Sequence, residues 1–390
     1  MYLIYFMTTE KTYRCLHEDG KIETLRLLPL GSKCHSFHLF QGYDATDDGL
    51  VKYKADFDKW CDELLNNSVL DIDYKKYYSH HSSVEMTFKR LCVGKYEHFE
   101  DIDRVEARWI EGTHNGGLTY CNPGTYQSFG YDFSSFYPRN MADYNFIFPT
   151  KKGKEQFITE LPDDFKLGFY RVKITSSHKH ATKLFSFSKN NVYTNITLKH
   201  AQELRDDFDF KMELIVDDKP NTYIYDKGIK GHSVFGTWLN KLILIKKQFP
   251  KNKLVKHLLS SLWGTLTRYN KITKKYDDIQ AEKLKMCITD TTDYKILDYI
   301  WTNEQEFYVL QCMDKPYKMN FRLKSFLTAF GRVKSARVAE EDLDGVLRIH
   351  TDGIVFNKEM QFDFQHLLPE DKTTGLIKWN NLNDYKIVSP

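Results

Sequence analysis

The sequence has no Cys-x-x-Cys pair. Its seven cysteines (Cys15, Cys34, Cys61, Cys92, Cys121, Cys287 and Cys312) are odd in number and widely scattered. Neither a zinc ribbon nor a disulfide framework is therefore indicated, and small core thiols in a reducing compartment fit better. No apolar run approaches the ~18–20 residues that a membrane span needs. The opening Met1-Tyr2-Leu3-Ile4-Tyr5-Phe6-Met7 is too short for a secretory signal and lacks its basic lead-in. It reads as a first β-strand, so the expectation is an intracellular protein, not secreted and without a membrane partner. Repeats of 20–50 residues and low-complexity linkers are missing too, which excludes solenoids and tethered halves. With 41% hydrophobic and 28% charged residues, wholesale disorder is excluded as well. At roughly 100–200 residues per domain, 390 residues should hold two or three domains around a sizeable core.

One further absence is local. From Lys227 to Tyr276 there is no Asp or Glu, yet there are twelve Lys and Arg. They are Lys227, Lys230, Lys241, Lys246, Lys247, Lys251, Lys253, Lys256, Arg268, Lys271, Lys274 and Lys275. The whole chain carries only +3, so this is a local field that attracts polyanions, either nucleic acid or nucleotide phosphates. A merely solvated helix face would mix both signs. Phe235, Trp238, Phe249, Trp263 and Tyr269 interleave with the cations, which suits a surface that meets bases as well as backbone.

Along the chain, residues 1–50 read as short strands with turns at Glu18-Asp19-Gly20 and Asp47-Asp48-Gly49. Helices are expected at 53–66, 82–93, Val234 to Lys247, Leu254 to Arg268 and Arg322 to Ala339. Strands are expected at 126–133, at Gly168 to Ile174, and at Val346–Ile349 and Ile354–Phe356 around the tight segment His350-Thr351-Asp352-Gly353. Helices and strands mix without βαβ regularity, so the class is α+β.

Three segments carry candidate chemistry. In Tyr131-Asp132-Phe133-Ser134-Ser135-Phe136-Tyr137-Pro138 an aspartate ends a strand, and the following turn presents backbone N–H groups to an anion. By itself such an aspartate is more often a cap. In Lys256-His257-Leu258-Leu259-Ser260-Ser261-Leu262-Trp263-Gly264, residues Lys256, Ser260, Trp263 and Gly264 fall on one helix face, with Leu258, Leu259 and Leu262 left to be buried. The third segment is the hairpin tip with Asp352, where Asp before Gly is also ordinary turn chemistry. Two aspartates on separate strand ends, with a phosphate-gripping face between them in sequence, are the equipment of two-metal phosphoryl transfer.

In this order the segments resemble the family B DNA polymerases, most closely the protein-primed branch of phages, linear mitochondrial plasmids and eukaryotic viruses. Asp132, Ser135, Phe136, Tyr137 and Pro138 fill that family's first palm motif, Asp-x-x-Ser-Leu-Tyr-Pro. Lys256, Ser260, Ser261, Trp263 and Gly264 fill its fingers motif, Lys-x-x-x-Asn-Ser-x-Tyr-Gly, with Ser for Asn and Trp for Tyr. Arg348-Ile349-His350-Thr351-Asp352-Gly353 stands where the family has Tyr-x-Asp-Thr-Asp-Ser, and His114-Asn115-Gly116-Gly117 is similar to its Tyr-x-Gly-Gly link. No single motif is specific; the ordered set is, over roughly residues 75–390.

The resemblance implies a polymerase palm, an antiparallel sheet with helices, plus helical fingers and a small N-terminal α+β region. The implied divisions are 1–110 (a reduced exonuclease-like remnant), 111–228 (first palm part), 229–275 (fingers) and 276–390 (second palm part). A priming-protein contact insertion is placed at 185–228. The implied activity is template-directed DNA synthesis, adding dNTPs to a primer 3′-OH.

Asp132 and Asp352 would hold two Mg²⁺ ions, with Mn²⁺ as a substitute. The amides of Phe133, Ser134, Ser135 and Phe136 would cradle the triphosphate, and Tyr137 would stack under the deoxyribose and exclude a 2′-OH. Lys256, helped by Lys246 or Lys247, would neutralise the phosphates, and Ser260, Trp263 and Gly264 would line the nascent base pair. Gly116, Gly117, Arg268, Lys271, Lys274 and Lys275 would contact DNA. The implied partners are primer–template DNA, dNTPs and a terminal priming protein, in host cytoplasm, a virus factory or a mitochondrion.

Three departures qualify this. His350 replaces the first Asp of the second palm motif, with the later Asp kept as Asp352. No Asp-x-Glu exonuclease motif occurs in 1–110, and Tyr53-Lys54-Ala55-Asp56 only echoes the third one, so proofreading is not expected. Gly375 to Pro390 resembles the strand that leads into the family's Lys-x-Tyr segment, so neither that grip nor a thumb is expected. The alternative readings are a degenerate or truncated remnant that binds DNA without synthesis, and a polymerase that copies an RNA template.

Overall fold

The computed structural model describes residues 2–7, 12–17, 19–25, 33–36, 43–67, 70–76, 80–113, 116–275, 294–301 and 306–389. The fold is mixed α+β and divides into two compact units: Met1–Glu97 with Ser233–Thr265, and His98–His232 with Leu266–Pro390. The acid-free basic stretch is thus divided between the units, at Ser233 and again at Leu266. Among the described residues no helix is long and apolar enough to cross a membrane.

The first unit opens with a four-stranded sheet in the order Ile22–Leu25, Tyr13–His17, Tyr2–Met7, Lys33–Ser36. Asp47-Asp48-Gly49, expected as a turn, instead begins the helix Asp47–Leu65. Thr46 caps it by accepting from the Gly49 N–H at 3.1 Å, and the two aspartates complement the helix dipole. Leu50, Tyr53, Phe57, Trp60, Cys61 and Leu64 recur at helical spacing and are buried together.

Asn252 joins this helix to the next hairpin of helices. Its side chain caps Lys253–Ser260 through the Val255 N–H and donates to the Trp60 carbonyl (3.1 Å) and the Glu63 carboxylate (2.8 Å). Phe235 and Trp238 are completely buried in this unit, Phe235 against Phe88. They are core residues, not part of a surface open to bases. The single helix expected from Leu254 to Arg268 is also interrupted, because Ser261 ends one segment and Leu262–Leu266 forms another.

The second unit is built on a six-stranded antiparallel sheet in the order Tyr385–Ser389, Leu367–Trp379, Gly124–Phe133, Gly353–Phe356, Val346–His350, Thr119–Cys121. Alternation along the strands gives it two faces. Tyr131, Phe133, Ile349, Ile354 and Phe356 point into the main core, where the long helix Lys324–Glu340 also buries Ala336, Val338 and Ala339. Tyr126, Leu347, Val355, Ile377 and Trp379 cluster on the opposite face. A second sheet centres on Gly168–Ser176, flanked by Val192–Thr194, Thr222–Ile224 and Phe210–Leu214. Phe185, Tyr193, Leu198, Leu204 and Phe210 share the main core with Tyr131 and Phe133. Residues 185–228 therefore contribute to the core of this unit.

Arg322, expected as the first helical residue, precedes the helix and is wholly buried with Glu106. Its guanidinium meets both carboxylate oxygens (2.5 and 2.8 Å) and donates to the carbonyls of Glu100 and Asp101, while the Tyr225 hydroxyl donates to Glu106. Burial still pushes the Glu106 carboxyl up, against the pull of Arg322. Removing one partner from such a pair leaves an uncompensated buried charge. Arg322→Met should therefore cost about 3–5 kcal/mol in urea unfolding, and adding Glu106→Leu should recover part of it. A loss under about 1 kcal/mol would show that the pair is not structural.

Candidate active site

Antiparallel register places the site. Asp132 lies directly opposite Gly353 on one side and Leu368 on the other, and Gly353 in turn opposes His350. Directly opposed residues project to the same face, so His350, Gly353, Asp132 and Leu368 form one row. Tyr131 and Phe133 face the core, so Asp132 between them faces away from it. The next row on that face is Arg348, Val355, Gly130 and Glu370.

Asp352 is the second residue of the two-residue turn between His350 and Gly353. Its carbonyl accepts from the Phe133 N–H at 3.1 Å, which ties the turn to the residue after Asp132. Burial pushes the Asp352 carboxyl up, and among the charges that act on it are His350, Arg348 and Glu370, all of the Asp132 face. The two aspartates thus sit at the same end of the sheet, Asp132 on its strand and Asp352 in the turn that enters the neighbouring one.

Three non-glycine residues here have left-handed backbone: Ser135 (φ 57°), Thr351 (φ 63°) and His366 (φ 70°). Such conformations cost on the order of 1–3 kcal/mol and persist only where surrounding bonds hold them. The Thr351 N–H donates to the Leu118 carbonyl at 2.9 Å, and its own carbonyl accepts from the Ser335 hydroxyl. The Ser134 N–H donates to the His366 carbonyl at 2.9 Å, and Arg139 bridges the Ser134 carbonyl and the His366 ring. Of the four amides expected to cradle a phosphate, those of Phe133 and Ser134 are thus already engaged.

The helix Lys324–Glu340 gathers these pieces. Ser335 holds the Thr351 turn, and the Arg332 guanidinium donates to the Gly116 carbonyl at 2.8 Å. Gly331 lies under the motif aromatics, where an added Cβ would come within 3.0 Å of Phe136 and 3.5 Å of Tyr137. Gly117 packs on the hairpin tip so closely that a Cβ would meet Thr351 Oγ1 at 2.4 Å. Burial pushes the Tyr137 phenol up to about 12 and the Arg332 guanidinium down to about 10. Gly116, Gly117, Asp132, Phe133 to Tyr137 and Asp352 are thus brought together in the second unit.

The other expected site residues lie elsewhere in the chain. Arg268 and the strand Lys271–Lys275 belong to a separate three-stranded sheet region of the second unit, with Lys274 Nζ 4.7 Å from the Tyr294 ring centroid. Lys246, Lys247, Lys256, Ser260, Trp263 and Gly264 lie in the first unit. There Lys256 and Ser260 are exposed, Leu258, Leu259 and Leu262 are buried, and Gly264 faces open space.

Gly331, Arg332, Ser335 and Thr351 were not singled out from the sequence. The available signal was a helix with Gly, Arg and Ser at interior positions and burial on nearly all sides. His350 has a defined role in packing. Arg348 Nη2 donates to His350 Nδ1 at 2.8 Å, while Arg348 Nε donates to the Leu382 carbonyl and the guanidinium lies over Trp379. Burial and the nearby Arg348 push the His350 imidazole down, so it is neutral at pH 7.

Among the described residues no cluster of three His, Cys, Asp or Glu side chains forms a ready-made metal cage. Two hard carboxylate donors do suit Mg²⁺, which keeps several waters and takes the rest of its shell from substrate phosphates.

No family model and no curated sequence matches the chain. Solved structures do. Phi29 DNA polymerase complexed with single-stranded DNA is similar at a TM-score of 0.59 and 14% identity, over 87% of this chain and 58% of that one. Its complex with primer–template DNA gives 0.53 and 13%, over 81% and 52%. The ternary complex with incoming nucleotide substrates gives 0.52 and 16%, over 74% and 51%. The likeness is one of fold, and the chain spans between half and three-fifths of the length of these neighbours.

A buried carboxyl with a raised pKa favours its neutral form in the folded state, so its ionisation costs stability once the pH exceeds the unfolded value near 3.8. Without divalent ions, Asp352→Asn should therefore be more stable than the parent at pH 7, with the difference vanishing as the pH falls below about 4. Urea unfolding in EDTA at both pH values checks this. A variant less stable than the parent at pH 7 would contradict it.

Proposed function

We propose that the chain is the palm-and-fingers core of a template-directed DNA polymerase that adds dNTPs to a primer 3′-OH. The observation that carries this reading is the placement of Asp132, on its strand, and Asp352, in the turn that enters the neighbouring strand, at one end of a polymerase-like sheet, beside Phe136–Tyr137 and the Gly116–Gly117 link. Asp132 and Asp352 would hold two Mg²⁺ ions, or Mn²⁺ in their place. When bound, such a pair activates the attacking hydroxyl and neutralises charge on the departing pyrophosphate.

The protein's own contribution is positioning. With the Phe133 and Ser134 amides engaged, the phosphate cradle narrows to those of Ser135 and Phe136. Tyr137, backed by Phe136 and Gly331, would carry the deoxyribose and meet a ribose 2′-OH. Lys256, with Lys246 or Lys247, would offset charge on the triphosphate, and Ser260, Trp263 and Gly264 would face the nascent pair. The link glycines and the cations Arg268, Lys271, Lys274 and Lys275 would follow the DNA backbone. A terminal priming protein is the proposed source of the first primer hydroxyl.

Primer extension on a short primer–template with dNTPs and Mg²⁺ tests the reading. Asp132→Ala and Asp352→Asn should each lower the rate by about 10³-fold or more while leaving DNA affinity within about threefold. Lys256→Ala should act mainly through nucleotide KM. Extension that survives Asp352→Asn would overturn the assignment, and a parent chain that binds DNA without extending it would favour the remnant.

A further inference from the structure

Asp132 and His350 flank a residue without a side chain. They lie two strands apart in one row, about 10 Å from backbone to backbone, with Gly353 between them. A side chain at Gly353 would stand 3.5 Å from the Asp132 carboxylate, so glycine keeps this strip of the sheet low. The wall opposite Asp132 is therefore the His350 imidazole, half-buried at the hairpin end.

Arg348 determines what that imidazole can do. A guanidinium only donates, so the 2.8 Å contact from Arg348 Nη2 requires an unprotonated Nδ1. The ring proton is then on Nε2. Arg348 is itself anchored by the Leu382 carbonyl and the Trp379 ring, so neither partner is free to turn. Among the described residues Nε2 makes no hydrogen bond. The result is a neutral donor whose ring is held by Arg348, on the row that Gly353 keeps low and that Asp132 shares.

We propose that His350 Nε2–H donates to a non-bridging phosphate oxygen near the 3′ end of the strand being extended. This makes it a binding residue for the polynucleotide, with Arg348 as its positioning residue. The inference rests on the polymerase reading and adds to it a contact that a carboxylate at position 350 could not make. A carboxylate would repel the phosphate, whereas a neutral N–H binds it without competing for the cations held by the aspartates.

The test uses fluorescence anisotropy with the full chain in EDTA and labelled primer–templates. One of the three 3′-terminal linkages at a time is replaced by a neutral methylphosphonate. For one linkage the parent should lose about tenfold in affinity, a typical loss for a charge-assisted hydrogen bond. His350→Leu should bind the unmodified duplex about tenfold more weakly and be indifferent to that linkage. His350→Gln, which keeps a donor, should restore most of the binding, and His350→Asp should be weaker than His350→Leu. In ¹⁵N-resolved NMR the parent imidazole should show the Nε2–H tautomer, and Arg348→Met should lose that preference.

The same linkage profile in the parent and His350→Leu, or an Nδ1–H tautomer in the parent, would overturn the inference even if the chain extends primers. A parent that binds no primer–template at all would instead overturn the polymerase reading itself.

Discussion

The pairing of Gly353 with Asp132 is the contact on which the candidate site depends, because a strand's side chains alternate between faces. A slip of one residue would turn Asp132 into the core and bring Tyr131 and Phe133 out of it. The register is pinned from both sides. The core side is fixed by Tyr131, Phe133, Ile349, Ile354 and Phe356, and the open side by Trp379, whose indole donates to Ser128 on the Asp132 strand. Hydrophobic burial therefore does the work of aiming a carboxylate.

The same economy holds for the segments around the aspartates. One helix reaches the glycine link through Arg332, the motif aromatics through Gly331 and the hairpin tip through Ser335. Each of these segments contains an unfavourable element: a left-handed Thr or Ser, or a close approach that only glycine permits. Their cost is offset by burial of the helix on nearly all sides. The hairpin tip is organised in a consistent way. Histidine at position 350 is matched by an arginine two residues earlier, and that arginine lies over Trp379.

Much of this was legible in the sequence, and for identifiable reasons. Asp132 lies near the end of one strand and Asp352 in the turn before another, and both strands, marked by alternation and bounding turns, occur close to their expected bounds. The α+β class followed from the same local patterns. Long-range facts were less accessible. Phe235 and Trp238 lie among lysines in sequence but entirely within a core, because a helix segregates neighbours by angle and not by order.

The Asp47-Asp48-Gly49 turn signal was equally a helix start, since the same residues serve both and only the Thr46 cap decides. The break at Ser261 had no local marker stronger than a pair of serines. Arg332 and Ser335 could not be assigned to the site because their partners, Gly116 and Thr351, are remote or act through backbone carbonyls. The unbroken basic stretch also hid its division between two units.

Asp132 and Asp352 are proposed to act together on one shared two-ion centre. Its most direct test is an electron paramagnetic resonance titration of the chain with Mn²⁺, in parallel with Asp132→Asn and Asp352→Asn. Each substitution should weaken Mn²⁺ binding by at least about tenfold, and both together should weaken it little further. Mn²⁺ binding by either single variant with the affinity of the parent would contradict it.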